Sequence, residues 1–135
     1  MTDVLGRGAA LSVLMGGLAG TGLRLAIDAL LPHGDDGFPL STLLINVTGS
    51  FALGMLVSRV WPVAPVWLRA GLGAGLLGSF TTFSAVVASV FTLAREQEAG
   101  LAVGYLVITL AAGWLAAAAG IRLGAGRPTQ IGPEE

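Results

Sequence analysis

The feature that most constrains the fold is a long uncharged interval with a polar middle. No charged residue occurs between Arg69 and Arg95, and a helix needs about 20 apolar residues to cross a bilayer. Inside this interval, segment 78–84 reads Gly-Ser-Phe-Thr-Thr-Phe-Ser. Irregular backbone at membrane depth is tolerated only where protein buries it or where it lines a wet cavity. The interval therefore predicts a membrane helix broken near its middle, with carbonyl and hydroxyl groups free to meet an ion.

Composition places the whole chain in a membrane. Of its 135 residues, 54% are hydrophobic and 11% are charged, whereas a soluble domain carries roughly 25% charge. The absence of cysteine excludes disulfides and thiolate metal sites. A net charge of -1 gives no argument for a nucleic-acid partner. The first apolar stretch is too long for a signal-peptide core and lacks a convincing cleavage site, so we expect a helix of the mature protein.

The apolar segments predict an all-α integral membrane protein with four transmembrane helices in a single domain, residues 1–123. The predicted helices cover about 8–31, 38–60, 66–93 and 99–123, and the third is the broken one. In the first, Gly16 and Gly20 have the spacing that lets helices approach closely in lipid. We expect a polar leader before residue 8, a solvated turn at 32–37 in which His33 is no metal ligand, and a polar, flexible tail at 124–135.

Polar residues inside the helices allow more than one interpretation. Arg24 and Asp28 form either a pair at the membrane surface or part of a cationic vestibule for an anion. The amide of Asn46 either links helices or offers two N–H groups to an anion. Thr109 either bonds a carbonyl of its own helix or belongs to a polar track with Tyr105. Trp61 and Trp67 flank a proline-containing turn and suit the membrane interface.

Three segments together resemble, in order and spacing, the CrcB/Fluc family of fluoride channels. They are Gly16-Gly17 with Arg24, the run from Asn46 to Phe51 with Gly54, and the segment 78–84. The match extends over all four helices. The combination of Thr-Thr-Phe-Ser with an upstream asparagine is specific, although neither part alone would be.

The resemblance implies a passive fluoride channel of the cell membrane that exports cytoplasmic fluoride. It implies an antiparallel, dual-topology dimer with two pores and a central structural sodium ion. Backbone carbonyls of Gly78 and Thr81 match the sodium ligands. The matching positions of the fluoride pathway are Asn46, Phe83, Thr109, Tyr105, Thr82, Ser84 and Arg24. Fluoride holds its water tightly, so N–H and O–H donors and the positive edges of aromatic rings suit it, although Phe83 on composition alone would be a lipid-facing or core residue.

Two positions depart from the family pattern. The second phenylalanine of the family's motif is replaced by Val86, with Ala85 in place of the intervening threonine, and the next position of the helix-four track is Gly113. One pore lined by this chain alone would lack an aromatic ring and a hydroxyl. The chain then either conducts poorly as a homodimer or obtains the missing groups from a paralogous partner.

The arginines favour a partner, because they are distributed unequally. With Arg24 inside the first helix set aside, Arg95 stands alone on one side of the membrane, and the opposite side carries five: Arg7, Arg59, Arg69, Arg122 and Arg127. If Arg24 counts with the outer half, the contrast is five to two. The positive-inside rule then predicts cytoplasmic termini. A chain that inserts in both orientations should show little bias, so a heterodimer with an oppositely biased subunit is a second hypothesis.

Two other functions are compatible with parts of the sequence. A non-conducting partner subunit of a heteromeric fluoride channel is consistent with Val86 and Gly113. A small four-helix multidrug exporter would need an intramembrane carboxylate, for which Asp28 beside Arg24 is the only candidate. The sequence shows no nucleophile–base pair, so we predict that the chain is not an enzyme.

Overall fold

The computed structural model describes residues 2–31 and 38–126, and every regular element within these ranges is a helix. Met1, the turn predicted at 32–37 and residues 127–135 of the predicted tail lie outside the described residues. In chain order the elements are α1 (Thr2–Leu30), α2 (Leu40–Met55), a π-helical segment (Leu56–Val60), α3 (Val66–Ala70), a second π-helical segment (Gly71–Leu77), α4 (Gly78–Phe80), α5 (Phe83–Arg95) and α6 (Ala99–Gly124).

These elements form four spans that are long and apolar enough to cross a membrane. The first to fourth spans are Gly6–Leu30, Leu40–Val60, Val66–Arg95 and Ala99–Gly124. Many of their large apolar side chains face outward, as a lipid environment allows and water does not. The predicted all-α architecture with four transmembrane helices is confirmed.

The first helix begins earlier than predicted. The helix start predicted at about residue 8 is wrong, because α1 already starts at Thr2 and includes residues 2–7. This segment contains no proline, and its polar residues interrupt the apolar pattern without interrupting the helix. The polar residues mark where the apolar span starts, near Gly6. They do not mark where the helix starts.

The third span is interrupted where the sequence predicted. It runs through α3, the π-helical segment 71–77 and α4, and resumes as α5 at Phe83. Between these helices Thr81 (φ -76°, ψ 151°) and Thr82 (φ -148°, ψ 117°) are extended. The wider winding of residues 71–77 was not predicted, because glycine content indicates a tolerant backbone but not which hydrogen-bond register it takes.

Glycines let the spans approach closely enough to fix the position of this break. A Cβ atom at Gly16 would collide with the carbonyl of Gly71, and one at Gly20 with the carbonyl of Leu76. The first span therefore lies directly against the π-helical segment, which confirms the close packing predicted from the spacing of these two glycines. Similar contact joins α2 to α6, where Gly54 faces the carbonyl of Ala117.

A small core lies beside the break. Val86 and Leu93 of α5 pack there against Ala102 and Tyr105 of α6. The ring of Phe38 meets Tyr105 edge-on, with 5.3 Å between centroids. This core holds α5 against α6, while Phe83 at the start of α5 stays exposed.

Candidate ion pathway at the break in the third span

The site begins with the amide of Asn46, which replaces the hydrogen bonds lost at the break. Its Nδ2 donates to the carbonyl of Thr82 at 2.9 Å, and its Oδ1 accepts from the Thr82 amide at 2.8 Å. Both polar groups of this extended residue are therefore bonded to one side chain of the second span. One N–H of the Asn46 amide remains for another acceptor. The amide thus links two helices and keeps a free donor, so both interpretations of Asn46 agree with this geometry.

The break leaves carbonyls without their usual donors. In a continuous helix the amide of Thr82 would bond to Gly78 and that of Ala85 to Thr81. Here the Thr82 amide bonds to Asn46, and the Ala85 amide donates to Thr82 Oγ1 at 3.2 Å. The carbonyls of Gly78 and Thr81 both lose the partners that a helix would give them. Carbonyl oxygens of this kind are suitable ligands for a hard cation.

One side of the break opens into a cleft, which we call the Phe83 cleft. It has a volume of about 390 Å³. It lies between the break, α2 and α6, and its lining consists of Asn46, Ser50, Thr81, Thr82, Phe83, Val86, Thr109, Leu110, Gly113 and Trp114. Hydroxyl, amide and aromatic groups are therefore present together at mid-span, where an uncharged ligand path or an anion path is possible.

Phe83 and Val86 occupy opposite environments although both touch this cleft. The Phe83 side chain is 66% exposed, whereas Val86 is 1% exposed and belongs to the core beside Tyr105. They lie three residues apart on α5, so the helix would place both rings along one side if residue 86 were also aromatic. In this chain only Phe83 presents a ring to the cleft from α5.

The two residues of the predicted polar track on α6, Thr109 and Tyr105, occupy different environments. Thr109 is buried, lines the Phe83 cleft, and its Oγ1 has no hydrogen-bond partner in the part of the chain that the structure describes. Tyr105 is fully buried one turn away and lines neither cleft at the break; its hydroxyl lies among Thr109, Ser89 and Thr42 without a formed hydrogen bond. A role of Tyr105 in an ion path stays a prediction, since it could act only behind Thr109.

A second cleft, the Arg24 cleft, lies on the other side of the break. It measures about 410 Å³ and is lined by Arg24, Asp28, Thr42, Ile45, Thr82, Ser84, Ala85 and Ala88. Thr82 lines both clefts, and its hydroxyl lies 3.1 Å from that of Ser84. Arg24 and Asp28 thus share a concave surface that ends at the break. The two polar clefts meet at the residue clamped by Asn46.

Sequence reasoning did not single out Trp114 or Thr42. Trp114 follows Gly113 near the middle of α6, and an indole away from the interfacial belt was a signal that could have identified it. Thr42 lies one turn before Asn46 on α2, so the same helical face already marked by Asn46 and Ser50 includes it. Both positions become apparent once the spans are packed.

Comparison with known proteins identifies the family of the chain. Residues 11–121 match the family model described as CrcB-like protein, Camphor Resistance (CrcB). A fluoride-specific ion channel FluC of Xanthomonas euvesicatoria is 40% identical over 119 residues, covering 84% of this chain and 88% of that protein. The FluC proteins of Paracoccus denitrificans and Deinococcus radiodurans are 34% and 40% identical, covering 86% and 82% of this chain and 94% and 90% of their own.

These relatives are named as ion channels, which supports the prediction that the chain is not an enzyme. The family match, residues 11–121, reaches into all four spans and includes the break and the residues of both clefts. On the extent of this match, the chain is a member of the CrcB-like family of membrane proteins.

Proposed function

We propose that this chain is a subunit of a passive, fluoride-selective channel that exports cytoplasmic fluoride across the cell membrane. The observation that carries the proposal is that two polar clefts meet at Thr82, whose backbone N–H and C=O are both hydrogen-bonded to the Asn46 amide. The names of the relatives supply the ion. Their sequences extend over the same four spans, so the path through this chain is the natural place for it.

The chemistry of the path suits a small, strongly hydrated anion. Such an ion leaves water only where strong donors replace its hydration shell. Asn46 and Thr109 both line the Phe83 cleft, and their candidate donors are the free N–H of Asn46 and the buried Thr109 hydroxyl, which has no hydrogen-bond partner among the described residues. The edge of the Phe83 ring carries partial positive charge and can face an anion. The amino end of α5 adds the positive end of a helix dipole beside the same cleft.

The Arg24 cleft acts as the vestibule in this proposal. The guanidinium of Arg24 attracts anions to this cleft. Thr82 and Ser84 then offer hydroxyls at the point where the vestibule reaches the break. The carboxylate of Asp28 opposes this attraction, so the balance between the two charges sets the strength of the vestibule.

The structural sodium ion would be held by the carbonyls of Gly78 and Thr81. The diversion of the Thr82 and Ala85 amides supports this assignment, because it leaves both oxygens with free lone pairs. A bound cation would supply positive charge that lowers the cost of bringing an anion close. Hard oxygen ligands suit such an ion, and the clamp from Asn46 keeps them away from helical bonding.

The open Phe83 cleft supports an antiparallel dimer. Phe83 is exposed in the single chain, whereas an ion path must be closed from lipid on all sides. A second subunit of opposite orientation, either this chain or a paralogue, would close the cleft. The arginine bias favours a paralogue and cytoplasmic termini.

A non-conducting partner subunit is the second candidate function. The aliphatic Val86 favours it, because the position of the family's second phenylalanine is mostly buried in the core and offers the cleft no ring edge. The exporter hypothesis has no comparable support, since Asp28 lines the same cleft as Arg24 and is not isolated in the membrane.

The deciding experiment is fluoride efflux from liposomes that contain only this chain. Release is read with a fluoride electrode after a potassium ionophore removes the membrane potential, and chloride-loaded liposomes serve as the selectivity control. Rapid fluoride release without chloride release supports the channel and shows that two copies suffice. Release that requires a co-expressed paralogue would establish the heterodimer, and no release in either case would favour a non-conducting subunit.

A further inference from the structure

Trp114 has an unusual position for a membrane tryptophan. It lies near the middle of α6, whereas Trp61 and Trp67 lie at the ends of their spans, where indole rings are usually found. Its side chain is 72% exposed in the single chain and lines the Phe83 cleft. An indole at this depth carries an N–H donor that lipid tails leave without a partner, which is unfavourable.

Compared with the family pattern, the Phe83 cleft lacks an aromatic ring and a hydroxyl. Val86 provides no ring, and Gly113 provides no hydroxyl. A Cβ atom built at Gly113 would meet only Ser50 Oγ, at 3.5 Å. Position 113 therefore adds no side chain to the cleft wall, and Trp114, the next residue on α6, lines the same cleft with its indole largely unpacked within the chain.

We propose that Trp114 contacts the permeating fluoride and supplies both an aromatic edge and a donor in place of the groups absent at Val86 and Gly113. This inference rests on the proposed channel function. The indole combines two properties that suit an anion, because its ring edge is partly positive and its Nε1–H donates and never accepts. Trp114 thus supplies both the ring edge and the donor that positions 86 and 113 do not provide.

The position of Phe83 agrees with this assignment. Phe83 enters the cleft from α5 and Trp114 from α6, while Asn46 and Thr109 belong to the same lining. An anion there would meet donors from the second and fourth spans and ring edges from the third and fourth. The wall contributed by this chain then contains two aromatic residues without any contribution from residue 86.

The test compares fluoride efflux of four proteins in the liposome assay: the wild type, Trp114→Phe, Trp114→Leu and the control Trp67→Leu. Trp114→Leu should lower the fluoride rate by roughly tenfold or more, as expected when a desolvated anion loses one donor. Trp114→Phe retains a ring edge and should fall between the two. Trp67 is half-exposed and lies outside the Phe83 cleft, so Trp67→Leu should match the wild type.

The outcomes separate the inference from the channel function. If the wild type releases no fluoride, either alone or with a paralogue, the proposed channel function itself is wrong. An active wild type with an equally active and equally selective Trp114→Leu protein would overturn the inference and leave the channel intact. If Trp114→Leu does not assemble, Trp114→Phe decides: a reduced rate in a dimer of normal size supports the inference, and a wild-type rate overturns it.

Discussion

At the scale of single residues, Phe83 is the side chain whose replacement separates conduction from folding most clearly. Because it is 66% exposed in the chain, its loss removes little core packing. We expect Phe83→Ile to reduce fluoride efflux to near background, since an aliphatic side chain has no positive edge for the anion, while the protein elutes at the same size as the wild type. Phe91→Ile is the matched control, because Phe91 is also exposed on α5 but outside the Phe83 cleft. Equal flux in both variants would remove Phe83 from the path.

The residue scale also shows what a sequence can and cannot predict. Asn46, Phe83 and Thr109 were identified from their types and order, and the structure brings all three to one cleft. Tyr105 shares a helix face with Thr109 but lies in the core, because α5 packs over it through Val86. Trp114 was missed because its importance depends on which helix lies opposite, and spacing along one helix does not contain that information.

At the scale of elements, the clamp between α2 and the break determines the shape of the third span. Asn46→Ala would leave the N–H and C=O of the half-buried Thr82 without their protein partner, and each hydrogen bond of this kind stabilises a fold by about 0.5–1.5 kcal/mol. We expect a lower melting temperature in detergent and faster hydrogen exchange at the Thr82 amide. The control is Thr48→Ala, whose hydroxyl bonds only to carbonyls of its own helix. Unchanged exchange at Thr82 in Asn46→Ala would show that the break is held by other contacts.

Two glycines of the first span offer a second test at this scale. A Cβ atom at Gly20 would overlap the carbonyl of Leu76, whereas a Cβ atom at Gly22 would meet nothing within 4 Å. Gly20→Val should therefore destabilise the fold by about 1–3 kcal/mol through overpacking, and Gly22→Val should have little effect. Thermal unfolding of both proteins in detergent provides the measurement. A destabilised Gly22→Val with a normal Gly20→Val would contradict the observed packing of the first span.

The break itself was predictable to within a few residues, because glycine, threonine and serine occur together in an otherwise apolar interval. The hydrogen bonds that replace the helical ones at the break were not predictable, since the Thr82 backbone bonds to a side chain 36 positions earlier. The π-helical winding of residues 71–77 also escaped prediction. Local composition indicates where a helix is weak, and tertiary contacts decide which hydrogen bonds replace it.

At the scale of the whole molecule, the arginine distribution makes the last prediction. Five arginines against one should fix a single orientation with cytoplasmic termini, because positive residues near span ends remain on the cytoplasmic side. Paired reporters fused to the carboxyl end, one active only in the cytoplasm and one only outside it, should give a signal from the cytoplasmic reporter alone. The substitutions Arg59→Gln and Arg69→Gln reduce the excess of arginines on the cytoplasmic side. They should therefore allow both reporters to signal.

The orientation bears directly on assembly, because an antiparallel dimer of identical chains requires both orientations. A cytoplasmic signal alone, together with fluoride efflux that depends on a paralogue, is the pattern expected of a heterodimer. Equal signals from both reporters in the unmodified chain would contradict the predicted orientation and favour two copies of this chain. In that case the Phe83 clefts of both subunits would be identical, and each would depend on the ring and donor groups that this sequence itself provides.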